Sequence, residues 1–458
     1  MISIEEALDR ILGYVDVMGA EDKPLLQALG QVLDEDVRAS FDVPPLDNTA
    51  MDGYAVRAAD TSGAGEDNPV SLSVIGEVAA GYQFSGEVKA GTAVRIMTGA
   101  PVPAGADSIV PFEETDEPFD RAPEAARRLK QTTVRVFKAA QPGANIRRAA
   151  EDIQAGAAVV QRGTVLRSSE IGVIASLGRA SVSVIRAPIV GVLSTGDELL
   201  EPGAEQAGAR IYDSNAYSVA SLVARHGGIP RMLGIAKDTI EDLTARIREG
   251  FACDMLVTSA GVSRGDYDVV KDVLAREGEV DFWTVAMKPG KPLAFGCFYP
   301  EGKEGRRVPH LGLPGNPVSS MVAFELFGRP AMFKMMGKID WRRPHLRVVT
   351  RDRIVNRDDP RVFLARCIVT EEGGRYVASL TGAQGSGILT SMMRANALTV
   401  IPADVDVVEP GEEIEVIMLD WSRGEEWGSY VTPSGARSES EITGQSPGPE
   451  AGASGGGL

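Results

Sequence analysis

The chain has 458 residues, 43% of them hydrophobic, with 47 basic and 64 acidic side chains giving a formal charge of −17. That length exceeds what one hydrophobic core serves and predicts about three or four domains. The acidic balance argues against a nucleic-acid binder or a membrane-surface protein, which would present a basic face, so any anionic ligand must meet a local basic pocket.

The opening Met1-Ile-Ser-Ile-Glu-Glu6 is acidic and reads as a capping box, with Ser3 as cap and Glu6 returning to it, not as a signal peptide. No apolar run approaches membrane-spanning length, and the expectation is a cytoplasmic protein with no membrane and no nucleic-acid partner. Apolar residues at helical spacing (Ile4, Leu8, Ile11, Leu12, Val15) predict helices over residues 3 to 35, ended by the turn at Pro44-Pro45. Four short β-prone segments follow, Val70 to Val78, Ala93 to Met97, Ser108 to Phe112 and Thr133 to Phe137, and make 49–150 a β-rich domain. Residues 151–187 read as a connector with a helix near Ser168 to Leu177, grouped with residues 1–48 as an N-terminal helical and linker domain.

From 188 to 330 strands and helices alternate: Ile189 to Leu193, Ser214 to Arg225, Met232 to Ile235, Thr239 to Arg248, Met255 to Thr258 and Tyr267 to Glu277, then three more strand candidates. This rhythm predicts a doubly wound α/β domain. Residues 331–422 return to β-like pieces and predict a second small β domain. Residues 423–458, rich in Gly, Ser, Glu and Pro with few apolar anchors, predict a disordered tail. Cys253, Cys297 and Cys367 lie far apart in apolar stretches, without ligand-like spacing to His226, His310 or His345, and read as buried core thiols.

Chemistry concentrates in the α/β region. The apolar run Asp254 to Ser259 opens into Gly261-Val-Ser-Arg-Gly-Asp-Tyr-Asp268 before a helical stretch, so the peptide donors of the loop and the helix start can face an anion. Soon after comes Lys288-Pro-Gly-Lys-Pro292, where proline and glycine fix two ammonium groups near each other, an unfavourable arrangement unless a negative ligand shares the site. In doubly wound sheets ligands gather at the carboxyl ends of the strands, and here that edge also supplies Thr195-Gly-Asp-Glu198, Lys237-Asp238 and Pro314-Gly-Asn-Pro317. In the last of these, Asn316 is a candidate helix cap and Pro317 takes the first helical position. Each motif has a plainer reading. An Asp before Gly, as at Asp52 or Asp197, is commonly a turn residue; the Pro-Gly-Asn-Pro segment serves equally as a strand-to-helix connection; the lysines could be solvated; and Glu113, Glu114 and Asp116 read as a solvated acidic run.

Seven motifs in order resemble the molybdopterin molybdenumtransferases, the MoeA family that includes the E domain of gephyrin. They are Pro45-Leu-Asp-Asn-Thr-Ala-Met-Asp-Gly-Tyr-Ala-Val-Arg57, Val94-Arg-Ile-Met-Thr-Gly-Ala-Pro101, Asn145-Ile-Arg147 with Glu151-Asp152, Thr195-Gly-Asp-Glu-Leu199, Gly261 to Asp268, Lys288 to Pro292 and Leu313-Pro-Gly-Asn-Pro-Val-Ser319. The resemblance implies a multidomain α/β protein whose central domain binds the pterin. It implies the last step of molybdenum cofactor assembly: adenylated molybdopterin is hydrolysed, molybdate is passed to the dithiolene sulfurs, and AMP is released. A divalent cation, Mg2+, held by carboxylates would neutralise charge at the bond being cut. The resemblance further implies a homodimer whose site is completed by the β-rich domain of the other subunit, with the upstream adenylyltransferase as a possible partner.

Carried over residue by residue, it assigns catalytic roles to Asp52, Thr98, Asp152, Glu198, Asp238 and Asp266, with Asp52, Glu198 and Asp266 as cation ligands. Substrate binding falls to Gly261, Ser263, Lys288, Lys291, Pro314, Asn316, Pro317 and Ser319, helped by Arg366 and by Ser386 in the Gly382-Ala-Gln-Gly-Ser386 turn. The sequence departs from the family pattern at Ala150 and Ala260, which stand where glycines are usual, and in a longer loop at 117–131. Three other readings stay open. Gly261-Val-Ser-Arg-Gly265 with His310 downstream matches a serine-hydrolase elbow, though no glycine-rich oxyanion segment precedes it; a scaffold would carry an extra domain; an adenylyltransferase shares the pterin domain but not the β-rich domains.

Overall fold

Runs of Val, Ile, Leu and Gly separated by amphipathic stretches fold residues 189–313 into one six-stranded sheet. The structure is a computed structural model that describes residues 1–117, 132–206, 208–259, 267–302 and 305–421. Ala260, Gly261, Ser263, Asp266, the longer loop and the expected tail lie outside the described residues.

The elements that build this sheet are β1 (Ile189–Thr195), α2 (Ser214–Arg225), β2 (Ile229–Ala236), α3 (Ile240–Gly250), β3 (Met255–Ser259), α4 (Tyr267–Glu277), β4 (Gly278–Thr284), β5 (Pro292–Phe298), β6 (Val308–Leu313) and α5 (Pro317–Ala323), with α1 (Ile4–Gly13) ahead of them. Strand order is β2-β1-β3-β6-β5-β4. The first four run parallel, and β5 and β4 add antiparallel pairings at one side. Because helices cover both faces, the central strands are largely apolar, and every residue of β3 and β6 is buried.

Register fixes where the loops emerge. Thr195 stands opposite Ala236, Ser194 opposite Ser259, and Ser259 opposite Leu313, so four strands end level on one edge. Strand β5 runs the other way, with Ala294 opposite Gly312, and so enters the sheet at the edge where β6 leaves it. The segment Lys288 to Pro292 is thereby delivered to the same edge as Pro314 to Pro317.

Two compact units divide the chain, Ala20–Val184 and the rest. In the larger unit, α1 packs Ala7 and Ile11 into the core that contains Phe295, Phe324 and Phe327. The α-helical part is shorter than the span of 3 to 35 expected for helices. It ends at Gly13, a strand runs Ala20–Pro24, and a single 3-10 turn follows at Leu25–Ala28, because Gly13, Gly19 and Pro24 each disfavour a continued helix. Ser3 caps α1 through its hydroxyl, which accepts from the Glu6 amide at 3.0 Å, but the Glu6 carboxylate pairs with Arg10 at 2.6 Å instead of returning to the cap. Further on, β7 (His345–Thr350), β8 (Arg366–Glu372), β9 (Arg375–Leu380), β10 (Ala397–Val400) and β11 (Glu413–Met418) close a barrel in the order β7-β9-β8-β10-β11.

The smaller unit holds a five-stranded sheet of Ser108–Pro111, Gly53–Val56, Thr92–Ile96, Val70–Val78 and Thr133–Val136, in that order. Four of these strands match the β-prone segments of the sequence to within about a residue. Helix Ser168–Ser176 packs Ile171 and Ile174 against Leu33, Val37 and Val184 in a separate small core. All three cysteines are free and buried, and burial pushes the Cys297 thiol up to about 11 and that of Cys367 to about 12. Among the described residues no helix is long and apolar enough to cross a membrane.

Candidate active site

The lysine loop is held in place by backbone pairing with the chain 75 residues further on. Met287 and Lys288 pair in parallel with Val362 and Phe363, the Leu364 amide donates to the Lys288 carbonyl at 2.8 Å, and the Val285 amide donates to the Lys291 carbonyl at 2.9 Å. At Gly290 φ is +103°, and a Cβ there would lie 2.6 Å from the Met287 methyl, so the turn needs glycine. Lys288 Nζ sits 3.1 Å from an Asp359 oxygen and 4.5 Å from the centre of the Phe363 ring. Arg361 grips the same carboxylate with two bonds of 2.6 and 2.7 Å. Arg361 and then Lys288 hold the Asp359 carboxyl down to about 2. Lys291 is exposed.

The Lys288–Pro292 loop, Arg361 and Phe363 line a cavity of about 360 Å³ together with Pro314, Asn316, Ser319, Gln384 and Ser386. Lys288, Lys291, Pro314, Asn316, Ser319 and Ser386, all singled out in the sequence, therefore face one space. Asn316 occupies the cap position of α5 with Pro317 behind it at the first helical position, but its side chain makes no capping bond. Two bonds fix this corner: the Asn215 amide donates to the Gly315 carbonyl at 2.7 Å, and the Val318 amide donates to the Ser386 carbonyl at 3.1 Å.

Arg366 does not join the lining. It is fully buried in the barrel, where its guanidinium donates to Ser391 Oγ at 3.0 Å and to the Gly385 carbonyl at 3.0 Å, and burial lowers it to about 10. Its contact with Gly385 makes it a support for the turn that carries Ser386. The resemblance makes Arg366 a helper in substrate binding, and the closure of the barrel, which no local sequence signal marks, instead turns its guanidinium inward. Arg361 and Asp359, which do border the cavity or brace its cations, were missed. No local motif marks them, because they are brought in by the pairing of 287–288 with 362–363.

The carboxylates of the sheet edge cluster loosely. The Asp197 amide donates to the Asp238 carboxylate and the Asp238 amide to that of Asp197, both at 3.4 Å. At Gly196, with φ +140°, a Cβ would stand 2.4 Å from a Glu198 oxygen, so the Glu198 carboxylate folds over the glycine. Carboxylate oxygens are suitable donors for a hard cation. Yet among the described residues no three His, Cys, Asp or Glu side chains converge as a metal site, and Asp266 lies outside them. The described set does not complete a cation site.

In the smaller unit, Asp52 Oδ1 accepts from both the amide and the hydroxyl of Thr98 at 2.7 Å, which ties the Gly53–Val56 strand to the Thr98-Gly99 turn. Gly53 is required there, since a Cβ would lie 2.1 Å from the Val110 carbonyl. Asp152 is exposed, and its amide donates to the Val43 carbonyl at 3.0 Å. Ala150 has φ +61°, so its methyl occupies a left-handed position where a glycine would be unstrained. The acidic run is not merely solvated, because Glu114 pairs with Lys138 and Asp116 with Arg135. His310 cannot serve a hydrolase: it is wholly inaccessible, bonded through Nε2 to Thr258 Oγ1 at 3.0 Å, and held neutral by burial down to about 3.

Comparison with known proteins settles the ancestry of this arrangement. Residues 2–178 match the description "MoeA N-terminal region (domain I and II)", 191–334 match "Probable molybdopterin binding domain", and 348–419 match "MoeA C-terminal region (domain IV)". The chain is 39% identical over 400 residues to "Molybdopterin molybdenumtransferase 2" of Mycobacterium tuberculosis, covering 86% of this chain and 93% of that one. The chain belongs to the MoeA family. It is also 32% identical to the molybdopterin molybdenumtransferase of Haemophilus influenzae, covering 91% and 98% of the two chains. A crystal structure of a MoeA molybdopterin biosynthesis protein from Pyrococcus horikoshii superposes with a TM-score of 0.74 at 31% identity, covering 92% of this chain and 99% of that one. The MoeA regions on both sides of the α/β domain separate the chain from an adenylyltransferase that shares only that domain, and MoeA relatives of this kind are transferases.

Proposed function

We propose that the protein is a molybdopterin molybdenumtransferase that hydrolyses adenylated molybdopterin, transfers molybdenum from molybdate to the dithiolene sulfurs and releases AMP. The observation that carries this reading is the convergence of Lys288, Lys291, Asn316, Ser319 and Ser386 on one cavity at the carboxyl edge of the sheet. Both reactants are oxyanions, and cations fixed by the Pro-Gly turn and by Phe363 would hold them without reorganising as the reaction proceeds. Lys288 and Lys291 receive the molybdate or the terminal phosphate; Ser319, Asn316 and Ser386 orient its oxygens. Glu198 and Asp238 orient the pterin side, with Gly261, Ser263 and Asp266 belonging to the same reading.

The finer parts of the proposal are a homodimer in which Asp52, Thr98 and Asp152 act from the second copy, Mg2+ as the cation that carboxylates would hold, a cytoplasmic setting, and substrate handed on by the adenylating enzyme. Incubating the purified protein with adenylated molybdopterin, molybdate and magnesium tests the whole. AMP release accompanied by a gain of active cofactor is the expected result. AMP release that is indifferent to molybdate, with no cofactor formed, would refute the transferase reading.

A further inference from the structure

Four charged groups border or brace the lysine cavity: Lys288, Lys291 and Arg361, and one carboxylate, Asp359. That carboxylate is not incidental to the turn that bears it. Asn356, itself buried, donates from its side-chain amide to the Arg361 carbonyl at 3.0 Å and so clamps the 356–361 loop shut. Asp358 adopts φ +57°, and Asp359 follows with its two oxygens shared between Arg361, at 2.6 and 2.7 Å, and Lys288, at 3.1 Å. The side chain is only 15% accessible. Lys288 is pinned from the other side by the Phe363 ring at 4.5 Å.

Resting on the oxyanion reading of the cavity given above, we propose that Asp359 is a positioning residue that acts as an internal competitor of the anionic substrate. Before an anion binds, it stands where a ligand's charge would otherwise be felt, sharing two of the three cations, and it leaves a local balance of +2 (three positive groups less one negative). That balance complements a dianion. The arrangement keeps Lys288 and Arg361 in fixed positions before the ligand arrives, and it weakens anion affinity enough that a product oxyanion is released. Arg361, unassigned by the sequence, becomes a contact for the ligand once Asp359 yields part of its hold.

The test is equilibrium binding of molybdate to the full chain and to its Asp359→Asn variant, which keeps the shape of the side chain and one acceptor oxygen for Arg361 while deleting the charge. The variant is expected to bind molybdate about tenfold more tightly and the monoanion nitrate only about threefold more tightly, since Coulomb energy scales with ligand charge. A purely structural role for Asp359 would move neither ratio upward, nor separate the two ions. Because the carboxyl is held down to about 2, it is charged throughout, and the gain should be equal at pH 5.5 and pH 8. If the unaltered protein binds molybdate and Asp359→Asn binds it equally or less tightly, the competitor role fails while the cavity reading stands. Should neither protein bind any oxyanion, both fail. Binding by the variant alone would support the competition in its strongest form.

Discussion

The lysine cavity holds three cations around a single carboxylate, with Lys288 fixed by an ion pair and a ring face and Lys291 reaching solvent. The Asp52 turn does the opposite with its charge: one carboxylate oxygen already takes two hydrogen bonds from Thr98 and joins two segments of its sheet. Both regions were singled out by motif, and both contain residues that a turn alone could explain. The difference teaches that a charged residue in a shared motif acquires a ligand role through what its neighbours leave unsatisfied. Lys288 and Arg361 crowd like charge against one carboxylate, an arrangement that an arriving anion improves, whereas Asp52 gains its stabilising bonds within its own fold.

The sharpest way to break this contrast is Lys291→Ala. Loss of an exposed cation from an anion cavity should lower turnover at limiting molybdate by roughly 10²-fold, with recovery at high molybdate; unchanged steady-state kinetics would take the residue out of the site. Gly290→Ala attacks the same loop through its backbone. With φ +103° and the Met287 methyl 2.6 Å from the added carbon, it should lower stability by about 2 kcal/mol and weaken anion binding together, read by denaturant unfolding and titration of one sample. On the other side of the comparison, Asp52→Asn keeps an oxygen able to accept both Thr98 bonds. Its unfolding midpoint should stay close to that of the parent while AMP release falls about tenfold if the charge takes part in catalysis. Equal turnover would leave Asp52 a turn residue. The smallest effect belongs to Ala150→Gly, which should raise stability by about 0.5–1 kcal/mol by relieving φ +61°; a loss of stability would mean that the methyl packs usefully.

Much of this was legible in the residues, and the exceptions share a cause. Strands of β-branched residues in an α/β rhythm, the Pro-Gly lysine turn and the Asn316-Pro317 helix start are local signals, and local geometry honours them. Of the helices expected over residues 3 to 35, the first stops at Gly13 and no further α-helix follows before residue 35, because the apolar spacing over 4–15 says nothing of what Gly19 and Pro24 forbid beyond it. Arg366, which the resemblance offers as a helper in substrate binding, lies buried in the barrel and outside the cavity lining, since closure of the barrel sets its environment. Asp359 and Arg361 carry no motif at all, and they reach Lys288 only through a two-residue pairing between strands far apart in the chain.

Titrating molybdate into the Lys288→Ala, Lys291→Ala double variant and into the unaltered chain by calorimetry puts the cavity itself on trial. Removing both cations should weaken binding at least about 100-fold with the fold intact by circular dichroism. Equal affinity in the two proteins would mean that the oxyanion sits elsewhere.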